Sequence, residues 1–326
     1  MAVKTMVQTI RDTLYREMER EPRVIVMGED VGMGGVFRAT DGLRDAFGED
    51  RVIDTPLAES AIVGVAIGAS LNGLLPVAEI QFADFILPAF NQIASEAAKM
   101  RYRSGGDFWC PLVIRVPYGG NTKGGIYHSQ SVEAYFAHIP GLLVVAPAFP
   151  YDVAGLLRAA IRADDPVLFL EHKYTYNAIK GEVPDGDYEV PIGKADVKRP
   201  GKNLSVFAYG LMLHRSLAAA EALAKEGVEA EVVDLRTLLP LDKEAILTSA
   251  RKTGKVLIVH EDNKTGGLGA EIAAIIAEEG FDYLDAPIRR LTGPDVPAVP
   301  YAPTLEEAFL PNVERIGQAM RELAAY

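Results

Sequence analysis

The sequence predicts an α/β protein of two domains, each built on a mainly parallel sheet flanked by helices. The chain has 326 residues, of which 49% are hydrophobic, and a chain of this length usually forms about two domains with substantial cores. Short apolar runs alternate along it with longer stretches of helical periodicity. Such alternation is typical of β-α units, whose strands pair in parallel.

Composition narrows the possible functions. Acidic residues outnumber basic ones by 45 to 33, which gives a net charge of −12 and argues against binding to nucleic acid or to an anionic membrane surface. Cys110 is the only cysteine, so this chain alone forms no disulfide and no thiolate metal cluster, and we expect a reducing, cytoplasmic compartment. No uncharged apolar run reaches the roughly 18 residues of a spanning helix, so we expect neither a membrane span nor secretion.

The first domain begins with an amphipathic helix over 6–20. Apolar residues recur at every fourth position from Met6 to Met18, behind Thr5 as a potential cap. Apolar runs that suit buried parallel strands follow at 24–27, 77–80, 112–116, 142–146 and 167–170. Helical stretches rich in small residues separate these runs near 60–72, 88–102 and 151–163.

A linker and a second α/β domain follow. Between Tyr174 and Asn203 the periodicity is lost and proline, glycine and charged residues accumulate. We therefore predict a first domain over 1–190, a linker over 191–203 and a second domain over 204–326. The second domain alternates strands at 204–209, 231–235 and 256–261 with helices at 214–226, 241–250 and 269–279. Right-handed crossovers between such units give a second parallel sheet.

Common catalytic signatures are absent from the sequence. It contains no G-x-x-x-x-G-K-[ST], no H-E-x-x-H and no G-x-S-x-G, and the glycines at 32, 34 and 35 do not complete G-x-G-x-x-G. The five histidines are widely scattered, so their spacing indicates no transition-metal site.

Two carboxylates are candidates for the position where an open α/β sheet places its ligands. Glu29 comes after the first strand, and Glu59 leads into a helix rich in alanine, glycine and isoleucine. A glutamate in a first helical turn often only complements the helix dipole. The apolar neighbours of Glu59, however, would desolvate its carboxylate, which suits a group that shares a proton with a ring nitrogen.

An aromatic segment and a glycine-rich loop supply further candidates. The segment 81–85 follows a strand and brings two phenylalanines to the sheet edge, although core packing would explain either of them alone. The loop 119–125 contains four glycines and leads to His128. A histidine there is a candidate for proton transfer, although loop histidines are frequently only solvated.

Several ordered segments carry a resemblance to a known family. GEDVG at 28–32, DTPLAE at 54–59, AEIQFADF at 78–85, RYRSGG at 101–106 and HSQSVEA at 128–134 resemble the beta subunit of the thiamine-diphosphate-dependent 2-oxo acid dehydrogenase component. VDLRT at 233–237, KTG at 252–254, API at 286–288 and TGPD at 292–295 resemble its transketolase-like C-terminal domain. The resemblance implies a thiamine-diphosphate pyrimidine-binding fold followed by a transketolase C-terminal-like domain, and it covers practically the whole chain.

The resemblance also implies roles for individual residues. Glu59 corresponds to the glutamate that hydrogen-bonds N1′ of the aminopyrimidine and promotes proton removal from thiazolium C2. Phe85 corresponds to the aromatic residue that stacks on the pyrimidine. His128 corresponds to the histidine that orients the 2-oxo acid and handles protons during acyl transfer to lipoamide. Further cofactor contacts are implied for Glu29, Leu57, Ala58 and Gln81, and the substrate end would be lined by Phe82, Ala83, Asp84, Phe85 and His128.

A potassium site is implied in the same way. Family members hold the ion largely through backbone carbonyls, here those of Leu112, Ala160, Ile161, Ala163 and Asp165. Because the carbonyl of any residue can coordinate a hard cation, side-chain identity does not test this implication. An ordinary helix-to-strand turn at 163–166 explains the same residues equally well.

The chain lacks half of a thiamine diphosphate site. No Gly-Asp-Gly occurs in it, so a second chain should hold Mg²⁺ and the diphosphate. The resemblance therefore implies an alpha subunit, an α2β2 heterotetramer and docking to the lipoyl acyltransferase core of the complex. Segments 81–85 and 128–131 look closer to the branched-chain type, with 3-methyl-2-oxobutanoate as substrate, and pyruvate or acetoin dehydrogenase is the alternative. An alternative of another class is a non-catalytic scaffold with a degenerate thiamine fold.

Overall fold

The computed structural model describes residues 1–326 and divides into two compact units. The first unit comprises residues 1–118 and 135–192, and the second comprises 119–134 and 193–326. Residues 119–134 lie within the span that we predict as the first domain, but they group with the second unit. None of the helices combines the length and the apolar character that a membrane span needs.

The strands of the first unit form two sheets. They are β1 Ala2–Thr5, β2 Val24–Gly28, β3 Val52–Asp54, β4 Leu75–Glu79, β5 Val113–Tyr118, β6 Leu143–Val145, β7 Val167–His172 and β8 Lys180–Val183. β1 pairs antiparallel with β8, whereas the other six pair in parallel in the order β6-β7-β5-β4-β2-β3. β2, β5 and β7 are buried along their whole length, which explains their nearly continuous apolar sequences.

The α-helices in this part of the chain are α1 Met6–Arg20, α2 Leu43–Phe47, α3 Glu59–Leu71, α4 Met100–Arg103, α5 Glu133–Ala137, α6 Pro150–Ile161 and α7 Thr175–Ala178. Three of them, α1, α3 and α6, match predicted ones. A capping box confirms the predicted start of α1, since the Thr5 hydroxyl accepts the N–H of Gln8 at 3.2 Å and Gln8 Oε1 accepts the N–H of Thr5 at 3.0 Å.

The stretch predicted as helical over 88–102 is helical, but it is not one α-helix. A 3₁₀ turn at Leu87–Ala89 is followed by a π-helix at Gln92–Ala97 and then by α4. Pro88 is tolerated in the first turn because its missing N–H has no partner there. A pattern of small residues does not distinguish these helical forms, so the sequence could not predict the change of winding.

The second unit is a five-stranded sheet with its own helices. Its strands are β9 Asp196–Arg199, β10 Leu204–Ala208, β11 Ala230–Asp234, β13 Val256–Asn263 and β14 Arg289–Gly293, and a further short strand, β12, spans Thr237–Leu239. The sheet order is β14-β13-β10-β11-β9, with β9 antiparallel and the rest parallel. β9 lies inside the segment 191–203 that we predict as a linker. The helices are α8 Gly210–Ala224, α9 Lys243–Thr253, α10 Leu268–Glu279, α11 Pro303–Phe309 and α12 Val313–Ala324.

Candidate active site

Three segments that carry predicted site residues begin at the same edge of the first unit's sheet. Glu29 follows β2, the segment 57–59 follows β3, and the segment 81–85 follows β4. Because β2 pairs in parallel with both β3 and β4, the carboxyl ends of the three strands are neighbours. Gln81 Nε2 donates a hydrogen bond to Asp30 Oδ2 at 3.4 Å, which joins two of the segments. The residues brought to this edge are Glu29, Leu57, Ala58, Glu59, Gln81, Phe82, Ala83, Asp84 and Phe85.

The two carboxylates of this edge differ in their surroundings. Glu29 is 7% exposed, and burial raises its pKa, with the negative charges of Glu59 and Asp30 adding to the effect. Glu59 is the first residue of α3 and is half-buried. From the sequence we expect Glu59 to be desolvated, but the structure encloses Glu29 more fully because it follows a buried strand.

Aromatic rings line the same edge. Phe82 and Phe85 are half-buried, with ring centroids 5.8 Å apart and an edge-to-face angle of 79°. Phe37 packs against Phe82 at 5.5 Å, although the sequence did not single it out. Phe37 lies in the loop after β2. A single phenylalanine in a loop without helical or strand periodicity does not indicate a binding site.

The small residues at this edge leave space beside the rings. Ala58 is half-buried and Ala83 is buried, while the Leu57 side chain is 78% exposed. Aromatic rings with carboxylate and amide groups nearby suit a heteroaromatic ring that has polar edge atoms. An aminopyrimidine is such a ring, with both donor and acceptor atoms at its edge.

His128 belongs to the second unit and is described with it. It is half-buried and follows the 3₁₀ turn Gly125–Tyr127, and its N–H donates to the Gly125 carbonyl at 3.4 Å. The loop that carries it is closed at its base, where the Gly119 N–H donates to the Gln130 carbonyl at 3.0 Å. His128 is thus held in a hydrogen-bonded loop of the second unit.

The residues implied for potassium surround the end of α6. Ala160 and Ile161 lie in its last turn, Ala163 and Asp165 lie in the connection to β7, and Leu112 directly precedes β5. The Leu112 carbonyl accepts the N–H of Val167 at 2.8 Å, and the Ala160 carbonyl accepts that of Ala163 at 3.3 Å. The Ala160 carbonyl also accepts the N–H of Arg162, whereas the Leu112 carbonyl keeps a second lone pair. The geometry is that of a helix-to-strand turn, and a potassium site there stays a prediction.

A buried ion cluster beneath the candidate site was missed from the sequence. Arg115 is fully buried and contacts Glu79 at 2.5 Å and Glu171 at 2.7 and 2.8 Å. The Tyr176 hydroxyl donates to Glu171 at 2.5 Å.

Burial alone disfavours a charged guanidinium, but the two carboxylates hold the pKa of Arg115 above its usual value. Burial raises the pKa of Glu79 in spite of its cationic partner. The sequence contained one indication of this cluster. A single arginine lies inside the apolar run 112–116, and a buried arginine needs a charged partner.

Comparison with known proteins adds sequence and fold similarity to this geometry. Residues 3–178 match the family model described as transketolase, pyrimidine binding domain, and residues 193–316 match the one described as transketolase, C-terminal domain. A solved structure described as split gene transketolase, inactive beta4 tetramer, superposes with a TM-score of 0.79, covers 98% of each chain and is 24% identical in sequence. That likeness shows the fold.

Two curated relatives match the chain over its full length. The 2-oxoisovalerate dehydrogenase subunit beta of Bacillus subtilis (strain 168) is 60% identical over 327 residues, with 100% of both chains covered. The pyruvate dehydrogenase E1 component subunit beta of the same organism is 46% identical over 327 residues, also with 100% of both chains covered. Because both alignments are complete, their identities can be compared directly.

Proposed function

This chain belongs to the family of 2-oxo acid dehydrogenase beta subunits, and from that premise we propose that it serves the oxidative decarboxylation of a branched-chain 2-oxo acid such as 3-methyl-2-oxobutanoate. The observation that carries the substrate class is the 60% identity to the 2-oxoisovalerate relative against 46% to the pyruvate relative. The acyl group would pass to lipoamide. Pyruvate or acetoin remains the alternative substrate.

The residues at the first sheet's edge support thiamine diphosphate as the cofactor. Thiamine diphosphate would supply a thiazolium carbon that becomes a nucleophile once deprotonated, and a cationic ring that serves as an electron sink for decarboxylation. In our proposal Glu59 holds a proton at N1′ of the aminopyrimidine, and Phe85 stacks on that ring. Glu29, Leu57, Ala58 and Gln81 complete the ring's surroundings. The position of Glu59 supports this assignment, because its carboxylate lies at the same sheet edge as the buried Glu29 and the ring of Phe85.

The alpha subunit is the partner that this arrangement requires. This chain contains no Gly-Asp-Gly. We therefore place Mg²⁺ and the diphosphate site on an alpha subunit within an α2β2 heterotetramer, with the lipoyl acyltransferase core as a further partner. Activity should need both subunits, since ring stacking alone adds only about 0.5–1.5 kcal/mol beyond area burial.

We also propose that the carbonyls of Leu112, Ala160, Ile161, Ala163 and Asp165 hold a potassium ion.

The substrate class is tested by kinetics of the complex reconstituted with its alpha subunit. We expect kcat/KM for 3-methyl-2-oxobutanoate to exceed that for pyruvate by about 10–200-fold or more, because each additional methylene or methyl group in a fitted apolar pocket contributes about 1–3 kcal/mol. The measurement is a lipoamide-coupled assay with the two acids under the same conditions. A preference for pyruvate would replace the branched-chain assignment, and the absence of any turnover or bound cofactor would support the scaffold alternative.

His128 is proposed to orient the 2-oxo acid, with 82–85 lining the substrate end, and to transfer protons during acylation of lipoamide. His128→Ala in the assembled complex should lower lipoamide acylation by roughly 10²-fold, within the range for loss of a proton-transferring group, and leave cofactor binding nearly unchanged. Turnover in the coupled assay and calorimetric cofactor titration measure the two effects. The control is His138→Ala, since His138 is exposed. Wild-type turnover in the His128 variant would reduce this residue to a solvated loop position.

A further inference from the structure

The loop that carries His128 has a backbone that needs support from its surroundings. Asn121 and Lys123 have φ values of 64° and 57°, in the left-handed region that residues with a Cβ rarely adopt. Gly125 has a φ of 68°, and a Cβ built on it would lie 2.8 Å from the ring of Tyr301. Such conformations persist only where neighbouring groups determine them. The hydrogen bonds of this loop should therefore reveal what holds it.

Glu306 binds the first half of the loop. Its Oε1 accepts the Thr122 N–H at 3.1 Å, and both of its carboxylate oxygens accept the Lys123 N–H at 3.2 Å. Glu306 lies on α11 and is 4% exposed. Hydrogen bonds from backbone N–H groups to a buried carboxylate are stronger than those between neutral groups. The two backbone positions that Glu306 binds include one of the left-handed residues, Lys123.

Glu261 binds the loop on both sides of His128. Its Oε1 accepts the Gly120 N–H at 2.9 Å and the Ser131 hydroxyl at 3.2 Å. Glu261 is 4% exposed and lies on β13. Gly120 precedes His128 and Ser131 follows it, so one rigid carboxylate spans the segment that contains the histidine.

The loop also ends on a buried carboxylate. The Tyr209 hydroxyl donates to Glu133 Oε1 at 2.6 Å. Burial and the charge of Asp262 raise the pKa of Glu133 to about 8. The beginning, middle and end of the loop are thus tied to strands and helices of the same unit.

We propose that Glu261 and Glu306 are positioning residues that fix the loop 119–134 and thereby set the place of the His128 imidazole. This inference rests on the proposed role of His128 in acyl transfer. Neither glutamate needs to touch the substrate, because each acts through backbone N–H groups or Ser131. Their effect should appear in acyl transfer and not in the binding of the cofactor ring, whose proposed contacts all come from the first unit.

The test compares Glu306→Ala, Glu306→Gln and Glu307→Ala in the complex with the alpha subunit. Glu307 is the exposed neighbour of Glu306 and provides the matched control. We expect Glu306→Ala to speed tryptic cleavage after Lys123 about tenfold or more, because local opening exposes the bond, and to lower lipoamide acylation about 10–100-fold, because a small misplacement of a reacting group is costly. Glu306→Gln keeps an acceptor oxygen and should restore part of both. Ser131→Ala removes only the hydroxyl that donates a hydrogen bond to Glu261, and it should slow acylation more mildly. This variant still tests the inference if Glu306→Ala fails to assemble.

A double variant separates this inference from the proposed function. In a His128→Ala background, Glu306→Ala should lower acylation little further, since two residues that act as a unit are not additive. Two results would overturn the inference that these residues position His128. One is faster cleavage with unchanged acylation in Glu306→Ala. The other is unchanged cleavage and unchanged acylation in both Glu306→Ala and Ser131→Ala. If His128→Ala itself keeps full acylation, the proposed role of His128 fails, whereas the tryptic result still reports whether Glu306 holds the loop.

Discussion

Glu59→Gln should abolish most 2-oxo acid dehydrogenase activity, with a loss of roughly 10⁴-fold at the upper end of what a proton-transferring group contributes. A carboxylate can hold a proton at a ring nitrogen and release it again, whereas an amide can form a hydrogen bond but cannot exchange that proton. Glu59 is half-buried at the first position of α3, so an isosteric amide leaves the packing of the helix intact. In the proposed mechanism all later steps depend on this proton.

The measurement for Glu59→Gln uses the assembled complex. We expect normal assembly, a thermal midpoint close to that of the wild type and a sharply slowed exchange of the C2 proton of added thiamine diphosphate. Because the charge of Glu59 helps to raise the pKa of Glu29, the variant should also lower that pKa. Glu49→Gln is the control, since Glu49 is exposed and only pairs with Arg44. Exchange at the wild-type rate in Glu59→Gln would show that this residue is not the proton partner.

Much of the fold could be predicted because buried parallel strands have a distinctive sequence. The runs at 24–27 and 167–170 contain no polar interruption, and both lie in strands that are buried on every residue. The edge cluster was also predictable, since the residues after parallel strands lie at one edge of the sheet. Helix α12 was missed although its buried residues Ile316, Met320 and Leu323 have helical spacing.

The supports of the candidate site could not be predicted because they depend on distant parts of the chain. Gly120 and Glu261 are 141 residues apart, and Thr122 and Glu306 are 184 apart. No local pattern reports a backbone N–H that meets a carboxylate over such a separation. The sequence also could not predict that Glu29 is more buried than Glu59, because the degree of burial is set by tertiary packing and not by neighbouring residues in the sequence.

Arg115→Met should cause the largest loss of stability that we expect from a single substitution. The variant leaves Glu79 and Glu171 buried together without their cation, at 3% and 2% exposure. Removing one partner from a buried ion cluster costs about 3–5 kcal/mol, a large part of the roughly 5–15 kcal/mol that keeps a domain folded. For a chain of this size the melting midpoint should fall by about 10 °C.

The pH dependence of that loss distinguishes charge from lost packing. Burial already raises the pKa of Glu79 in the folded protein, and the loss of Arg115 should raise it further above the unfolded value of about 4.3. The cost is then fully present above the folded pKa and disappears as pH falls toward the unfolded one, so the melting deficit should narrow as the solution is acidified from neutral pH. A second variant that also carries Glu79→Gln and Glu171→Gln should regain stability at neutral pH, because it removes both uncompensated charges. Arg103→Met removes an exposed pair with Glu96 at 2.9 Å and a weak hydrogen bond to Met100 Sδ at 3.6 Å, and it should change stability by less than about 1 kcal/mol. A deficit for Arg115→Met that is independent of pH would show that its aliphatic packing, and not its charge, holds these strands together.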